Sequence, residues 1–575
     1  MKVCLSYEDG IQQAGSMITL PEQFVAHAGK FPNKPFLFLR EKKNTRAVTY
    51  GDFLSTCRAF ARFVGGFGPT QNQLVFIVLE PAEITYAAYI ACMLGGLIPS
   101  YLPYPTIKQD PALYFSSHTE LFKRTEPSII ITYSALVGPL RGIAPSNTLV
   151  VDVADFSARG PSDPIQPTAK TDDIALLQHS SGTTGLKKGV ELTYRQVALQ
   201  AASYSARAAL DEDSIIVSWL PLYHDMGLFA SFLIPATLGA TVVAVDAFEW
   251  VKDPSMIFSL IEEFGGTHIW LPNFAFNHLV NATPDDSNFD LSRMKSFVSC
   301  SEPVKQASIN DFVKRFESSG AGRDKIQACY AMAETAFAVA QNAPGTPAKV
   351  VNLDPTALKQ GVVAPVALDA ATATAAFVSN GRPIEGIDVG ILNGETSEIV
   401  QGDTRAVGEI VVRGDFVFSG YYRNPKLTDE AFHNGWYKTG DLGFLLDGEL
   451  FICGRKKDLV IVHGRNYYFH DIEALVSKVP PVIPGRVVAI GVASEVTGSE
   501  EVIVLAETDL EATANKERLA LRRAIKGAVF DGLELTLQQV EFVPRGWLVK
   551  TTSGKISRSE NLVRFVDGFP KEIHR

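Results

Sequence analysis

The chain has 575 residues, of which 46% are apolar and 20% charged, and a formal net charge of −10. That composition excludes a disordered polymer and a general binder of nucleic acid or anionic membrane, and the length predicts more than one domain. The six cysteines, Cys4, Cys57, Cys92, Cys300, Cys329 and Cys453, are scattered without a C-x-x-C pair, which reads as small buried residues in a reducing compartment.

In chain order, "MKVCLSYEDGIQQAG" lacks the basic start and apolar run of a secretory signal, so a cytoplasmic location is expected. The most apolar stretch begins at Ile84 and is interrupted by Gly95, Gly96 and Pro99. It is too short for a membrane span of roughly 20 apolar residues and predicts a buried helix, a turn and a strand. Short β-branched runs follow at "NQLVFIVL", "SIIITYS", "TLVVDV" and "GATVVAVD", alternating with helical periodicity. This alternation predicts an α/β fold of layered parallel sheets covered by helices.

Residues 343 to 380 mix Pro, Gly and Ala with short apolar patches and predict a small packed excursion. "GEIVVRG", "GYYRN", "GWYKTGDLG" and "DGELFICGRKKDLVIVHG" then give closely spaced strand and turn signals, predicting a β subdomain. Near "GRKKD" the character changes. Beyond it, strands "RVVAIGV" and "EEVIVLAE", a helix with apolar Leu519, Leu521, Ile525 and Val529, and a strand near Val540 predict a small α+β domain. The expected division is a large domain over residues 1–456 and a small mobile domain over 457–575.

"SSGTTGLKKG", residues 180 to 189, is not a Walker A loop, because Lys187 stands where that motif needs its second glycine. It has the chemistry of a phosphate cradle all the same. Gly182 and Gly185 let backbone N–H groups converge, the hydroxyls of Ser and Thr donate, and Lys188 adds charge. As a bare pattern such a loop is more often an ordinary loop.

The order of motifs narrows the reading. "SSGTTGLKKG", "WLPLYHDMG", "SEPV", "YAMAE", "GEIVVRG", "WYKTGDLG", "GRKKDLVIVHGRN" and "TSGKISR" occur in the sequence and at the approximate spacing of the adenylate-forming superfamily, which the chain resembles over about residues 20 to 565. Within it, "YHDMGL", "LPNFAF", the long stretch after "YAMAE" and "GRNYYFHDIEAL" are most similar to fatty acyl-AMP ligases.

The resemblance implies ATP and Mg²⁺ as cofactors and a carboxylic acid as substrate, activated to an acyl-adenylate with release of pyrophosphate. It also implies a carrier protein's phosphopantetheine thiol as acceptor. Ser180, Ser181, Gly182, Thr183, Thr184, Gly185 and Lys188 would hold the β- and γ-phosphates. Glu334 would be the metal carboxylate. Tyr330 would stack on adenine with Ala331 beside it, and Ser301 and Glu302 would border the nucleotide. Asp441 would take both ribose hydroxyls with Arg455 as a second contact, and His224 and Asp225 would stand where the carboxylate pocket meets the nucleotide. Lys555 would enter from the small domain to bridge the attacking carboxylate and the α-phosphate. Lys457 falls at the family's hinge position, although a plain surface lysine in the run Arg455, Lys456, Lys457 fits as well.

The chain departs from the family pattern at Lys187 in the phosphate loop, at Ala331 after the stacking tyrosine, at Cys300 and Ser301, and at Phe469. None of these removes a charge that the chemistry requires. Two other readings stay open: an acyl-CoA ligase, if residues 343 to 380 do not restrain the small domain, and a catalytically silent binding module with the same fold. The identity of the acid is open too, since the apolar residues after "YHDMGL" admit an alkyl chain or an aryl group.

Overall fold

The β-branched runs become strands buried on both sides, and their side-chain parity explains why. In the computed structural model, Val242 and Ala244 of the strand Thr241–Val245 pack into one hydrophobic cluster while Val243 and Val245 pack into another. Successive side chains point to opposite faces of a sheet, so a continuous apolar strand requires cover on both. The structure describes residues 18–568 apart from 43, 107–110, 158–164, 166, 181–187, 368–373, 395, 463–464, 495–498, 512–514 and 551–555.

A nine-stranded sheet forms the centre. Its middle strands, Ile326–Ala331, Ser296–Ser299, His268–Leu271, Ile215–Ser218, Thr241–Val245 and Pro35–Glu41, are mutually parallel. Antiparallel strands close both edges. A second sheet, ordered Ile98–Tyr101, Leu74–Val78, Ile129–Thr132 and Leu149–Asp152, is parallel throughout. The apolar stretch from Ile84 forms the predicted helix Glu83–Leu94 and strand Ile98–Tyr101. Among the described residues no helix is long and apolar enough to cross a membrane. Cys57, Cys92, Cys300, Cys329 and Cys453 are buried free thiols, as their scatter predicts; Cys4 lies outside the described residues.

The glycine-rich loop is bracketed by a hairpin. Strands Ile174–Ser180 and Lys188–Thr193 pair antiparallel with Ser180 opposite Lys188; residues 181–187 lie outside the described residues. Thr193 then starts the helix Tyr194–Ala208 with a capping box, its hydroxyl accepting the Gln196 N–H at 3.2 Å while the Gln196 side chain accepts the Thr193 N–H at 2.9 Å. The Gln196 amide also donates to the Val417 carbonyl at 2.7 Å, tying the hairpin's exit to the segment that leads to Tyr421.

Residues 387–455 form an antiparallel sheet of six strands. The 343–380 segment packs against it. Its strands Val350–Leu353 and Ala375–Val378 pair with each other, and Val351, Leu353 and Val363 share a cluster with Phe444, Phe451 and Cys453. After Asp458 a hairpin, Leu459–Val462 with Arg465–Tyr468, leads to a three-stranded sheet of Val482–Ser494, Ser499–Thr508 and Gln539–Val543. The helix Asn515–Leu533 covers one face of that sheet through Leu521, Ile525 and Val529, and Phe565 of the helix Arg558–Gly568 covers the other. Leu519 does not join the core and is 48% exposed. Two positions apart on a helix, Leu519 and Leu521 cannot face the same neighbour.

Candidate active site

Loops at the carboxyl ends of parallel strands are where open α/β sheets hold ligands. Here the strand Ile215–Ser218 leads to Tyr223, His224 and Asp225, Ser296–Ser299 leads to Ser301 and Glu302, and Ile326–Ala331 leads through Tyr330 to Glu334. Chain topology alone therefore gathers residues separated by more than a hundred positions.

Tyr330 and Asp441 meet directly, the phenol donating to Oδ2 at 2.7 Å. Asp441 lies on the strand Trp436–Leu446 in register with Arg455 on Glu449–Arg455, and the guanidinium approaches its other oxygen, Nε to Oδ1, at 3.4 Å. Directly opposed residues of an antiparallel pair share a face, which is why these two pair. The Asp441 N–H donates to Thr439 Oγ1 at 3.1 Å, and that hydroxyl donates to the Ile410 carbonyl at 2.7 Å, fixing the turn. Burial lifts the Asp441 carboxyl above the usual carboxylate range, with Arg455 and the Tyr330 hydrogen bond opposing the rise. Burial likewise pushes the Tyr330 phenol well up, with the Asp441 charge adding to it.

Glu334 occupies a short turn of helix, Ala333–Thr335, and is 8% exposed. Its Oε1 accepts the Tyr421 phenol at 2.9 Å, and the same phenol lies 3.4 Å from that of Tyr437. The other side of this cluster is Lys188, whose ammonium sits 5.0 Å from the centre of the Tyr421 ring. Burial holds the Lys188 ammonium below its ordinary pKa; Lys457 adds to that shift and Glu334 opposes it. The Tyr422 N–H donates to the Gly189 carbonyl at 2.8 Å and the Glu191 N–H to the Gly420 carbonyl at 3.1 Å, so the Tyr421 segment is stitched to the strand that leaves the glycine-rich loop. Glu334 and Lys457 therefore both act electrostatically on Lys188 beside the loop's exit.

The Asp225 carboxylate accepts the N–H of Met226 at 2.8 Å and starts a π-helix, Met226–Leu233; His224 stacks at an angle on Tyr223 with ring centres 4.9 Å apart. Ser301 is exposed with φ of 67°, and its hydroxyl lies 3.8 Å from the Met226 sulfur. Glu302 turns its carboxylate toward the helix Asn273–Ala282, accepting the Phe274 N–H at 3.0 Å, which is a helix-capping placement. Ala331 follows a bulge in the pairing with Ala338–Gln341 and is half-buried. Ser181, Gly182, Thr183, Thr184 and Gly185 lie outside the described residues, as does Lys555; Ser180 ends the first strand of the hairpin.

The flanks of Lys555 are described. Lys550 and Ile556 form a bridge, and Arg558 donates to Asp458 at 3.1 Å and to the Ala489 carbonyl at 2.7 Å while its guanidinium lies 4.5 Å from the centre of the Phe469 ring. Phe469, a departure from the family pattern, thus provides a platform for the arginine three residues after the lysine. Sequence reading missed Tyr421 and Tyr437, which enter the site from "GYYRN" and "GWYKTGDLG", and Glu409 of "GEIVVRG", which stays outside it and accepts the N–H of Gly440. Their motifs are legible, but a tyrosine or glutamate within a strand signal carries no spacing that marks it as chemical.

Among the described residues no group of three or more His, Cys, Asp or Glu is arranged to hold a metal ion. Glu334 is a single hard oxygen donor, which fits Mg²⁺, an ion commonly held by one or two carboxylates with the rest of its shell from phosphates and water. A separate cavity of about 400 Å³ is lined by Glu409, Lys438, Lys456, Leu358, Asn466 and Tyr468 among others, and none of the predicted site residues lines it.

Comparison with known proteins agrees with this geometry. Residues 24–422 match the AMP-binding enzyme family. The chain is 31% identical over 513 residues to the long-chain-fatty-acid–AMP ligase FadD26 of Mycobacterium marinum, covering 84% of this chain and 86% of the relative. It is 34% identical over 415 residues to JamA of Moorena producens, a medium-chain-fatty-acid–[acyl-carrier-protein] ligase, covering 70% of this chain and 69% of the relative. A solved structure from work on fatty acyl-adenylate ligases of E. coli and L. pneumophila superimposes with a TM-score of 0.86 at 25% identity, covering 96% of this chain and 98% of that one. With its glycine-rich hairpin, tyrosine–aspartate pair and parallel-sheet frame, the chain belongs to the AMP-binding enzyme family.

Proposed function

We propose that the chain activates a fatty acid with ATP to an acyl-adenylate and then passes the acyl group to the phosphopantetheine thiol of an acyl carrier protein. The observation that carries this reading is the pairing of Tyr330 with Asp441 beside the Lys188 and Glu334 cluster, at the carboxyl ends of the parallel strands. One end of that arrangement suits an adenosine and the other a chain of phosphates. The names of the relatives support the fatty acid and, through JamA, the carrier protein.

In this reading Tyr330 covers the base and Asp441 accepts the two ribose hydroxyls. The glycine-rich loop with Lys188 takes the outer phosphates. A Mg²⁺ ion held by Glu334 and those phosphates would neutralise their charge. A carboxylate oxygen of the fatty acid attacks the α-phosphorus, the bond from that phosphorus to the bridging oxygen breaks, and pyrophosphate leaves. Lys555 lies against the attacking carboxylate and the α-phosphoryl oxygens and stabilises the charge that develops there. Next, the thiol, after losing its proton, attacks the acyl carbonyl, and AMP departs with the electron pair of the broken anhydride bond. Residues 1–456 hold the nucleotide, and residues 457–575 rotate about Lys457 between the two steps. The 343–380 segment, packed on the β subdomain, restrains that rotation and disfavours free coenzyme A.

Acid-dependent exchange of pyrophosphate into ATP, with hydroxylamine trapping over a panel of carboxylic acids, tests the first step. We expect fatty acids to support exchange and Lys555→Ala to reduce it by at least about 100-fold, the scale of losing one transition-state donor. Absence of exchange with every acid would leave a silent binding module. Rapid acyl-CoA formation, with no preference for a loaded carrier protein, would make the chain an acyl-CoA ligase.

A further inference from the structure

Glu409 is a buried carboxylate outside the predicted set of site residues. It lies on the strand Gly408–Gly414, and its side chain is 10% exposed. One oxygen accepts the N–H of Gly440 at 3.1 Å, and the other pairs with the Lys456 ammonium at 2.9 Å. Gly440 immediately precedes Asp441, and Lys456 immediately follows Arg455. The strand order places Trp436–Leu446 between Gly408–Gly414 and Glu449–Arg455, so Glu409 reaches across the middle strand to the end of the far one.

Two carboxylates therefore tie the same two chain segments together at consecutive positions: Asp441 to Arg455, and Glu409 to both Gly440 and Lys456. Gly440 has φ of 75°, a left-handed backbone in which glycine is unstrained, and its N–H is held by Glu409 in that conformation. Lys456 opens the short helical turn Lys456–Asp458 and is 61% exposed. Ordinarily an exposed lysine is a weak anchor, but its partner here is desolvated, so loss of the lysine leaves a buried charge without its cation. The pair also borders the 400 Å³ cavity, whose other walls include Leu358 and Gly361 of the 343–380 segment and Leu459, Asn466 and Tyr468 from beyond Lys457.

We propose that Glu409 is a positioning residue that pins the chain up to Lys456 to the large domain, so that rotation of the C-terminal part starts at Lys457, and that holds the turn presenting Asp441 to the ribose. The proposal rests on the acyl-transfer reading above for the rotation, while the pinning itself is a property of the fold. The two jobs use different oxygens and can be separated. Glu409→Gln keeps an oxygen for the Gly440 N–H and loses the charge that holds Lys456. Lys456→Met removes the same link from the other side, and Lys456→Arg restores it.

Full-length wild type and the three variants are compared by pyrophosphate–ATP exchange, by acyl transfer to a loaded carrier protein, and by hydrogen–deuterium exchange of residues 438–442 and 455–459. For Glu409→Gln and Lys456→Met we expect KM for ATP and the exchange rate to stay within about twofold, acyl transfer to fall about tenfold, and amides 455–459 alone to exchange faster, with Lys456→Arg near wild type, as for a hinge anchor that touches neither substrate. Equal losses in both half-reactions with a lowered melting temperature would show a merely structural role and overturn the proposal. Unchanged amide exchange at 455–459 in both variants would overturn it too. A wild type that catalyses neither half-reaction but shows the expected amide pattern would instead sink the acyl-transfer reading and leave the pinning in place.

Discussion

Asp441 shows what a buried carboxylate costs the fold. Burial raises its pKa, and although Arg455 and Tyr330 oppose that shift, they do not cancel it. A carboxyl whose folded pKa lies above its unfolded value binds protons more tightly when folded. Stability therefore falls as pH rises from the unfolded value of 3.8 through the raised folded one, and the full penalty persists at neutral pH. Below 3.8 both states are protonated and the penalty vanishes. Asp441→Asn keeps an acceptor for the Tyr330 phenol and removes the charge. We expect this variant to melt higher than wild type at pH 7, the gain shrinking as the buffer is acidified toward pH 4, while KM for ATP rises by about tenfold or more through loss of a charge-assisted hydrogen bond. Melting curves across pH, paired with exchange kinetics, check both halves. A variant that melts lower at pH 7 and higher in acid would reverse the assigned sign.

The helical element after "YHDMG" depends on a glycine for reasons of space. A Cβ on Gly227 would sit 2.2 Å from the Pro221 carbonyl oxygen and 2.8 Å from its carbon, both backbone atoms that cannot swing aside. This close approach lets the π-helix Met226–Leu233 fold back on the segment 220–224, with the Leu228 N–H donating to the His224 carbonyl at 2.7 Å. We expect Gly227→Ala to destabilise the protein by about 1–3 kcal/mol, the usual cost of overpacking, and to displace His224. A thermal melt indistinguishable from wild type would contradict the contact. At this scale the sequence was legible where one signal sufficed. Val242 to Val245 read as a buried strand from β-branching alone. The π-helix was not legible, because its register depends on how Pro221 packs, and Leu519 was misread because apolarity does not say which side of a helix faces the sheet. Tyr421 and Glu409 were hidden for a related reason: their roles come from partners brought together by the sheet, and nothing at positions 421 or 409 encodes those partners.

Across the whole molecule, the 343–380 segment touches both sides of the expected division, and two kinds of contact compete to carry its proposed restraint of the C-terminal part. One is ionic. Glu534, at the end of the helix Asn515–Leu533, lies 3.2 Å from Lys359 of the segment and 3.3 Å from Arg465 of the hairpin after Asp458. The other is apolar, with Val351, Leu353 and Val363 buried against Phe444 and Phe451, and Leu358 and Tyr468 packed at the edge. Lys359 is 18% exposed but Glu534 is 68% exposed, and an ion pair whose carboxylate stands that far in solvent contributes about 0–1 kcal/mol and is screened by salt. Truncating a fully buried leucine such as Leu353 removes about 2–5 kcal/mol. Packing should therefore carry the restraint, with the ions setting only its orientation. It follows that Lys359→Ala should leave the preference for a carrier-protein thiol over coenzyme A within about twofold and insensitive to salt, as expected for a surface pair. Leu353→Ala should loosen the segment from the Phe444 strand and shift the ratio toward coenzyme A by about tenfold or more, the equivalent of only 1.4 kcal/mol of lost restraint. Competition assays with both acceptors present, run at low and high ionic strength, separate the two outcomes. If Lys359→Ala alone opened the enzyme to coenzyme A and salt did the same to wild type, the restraint would be electrostatic, and the cluster around Phe444 would serve only to fold the segment.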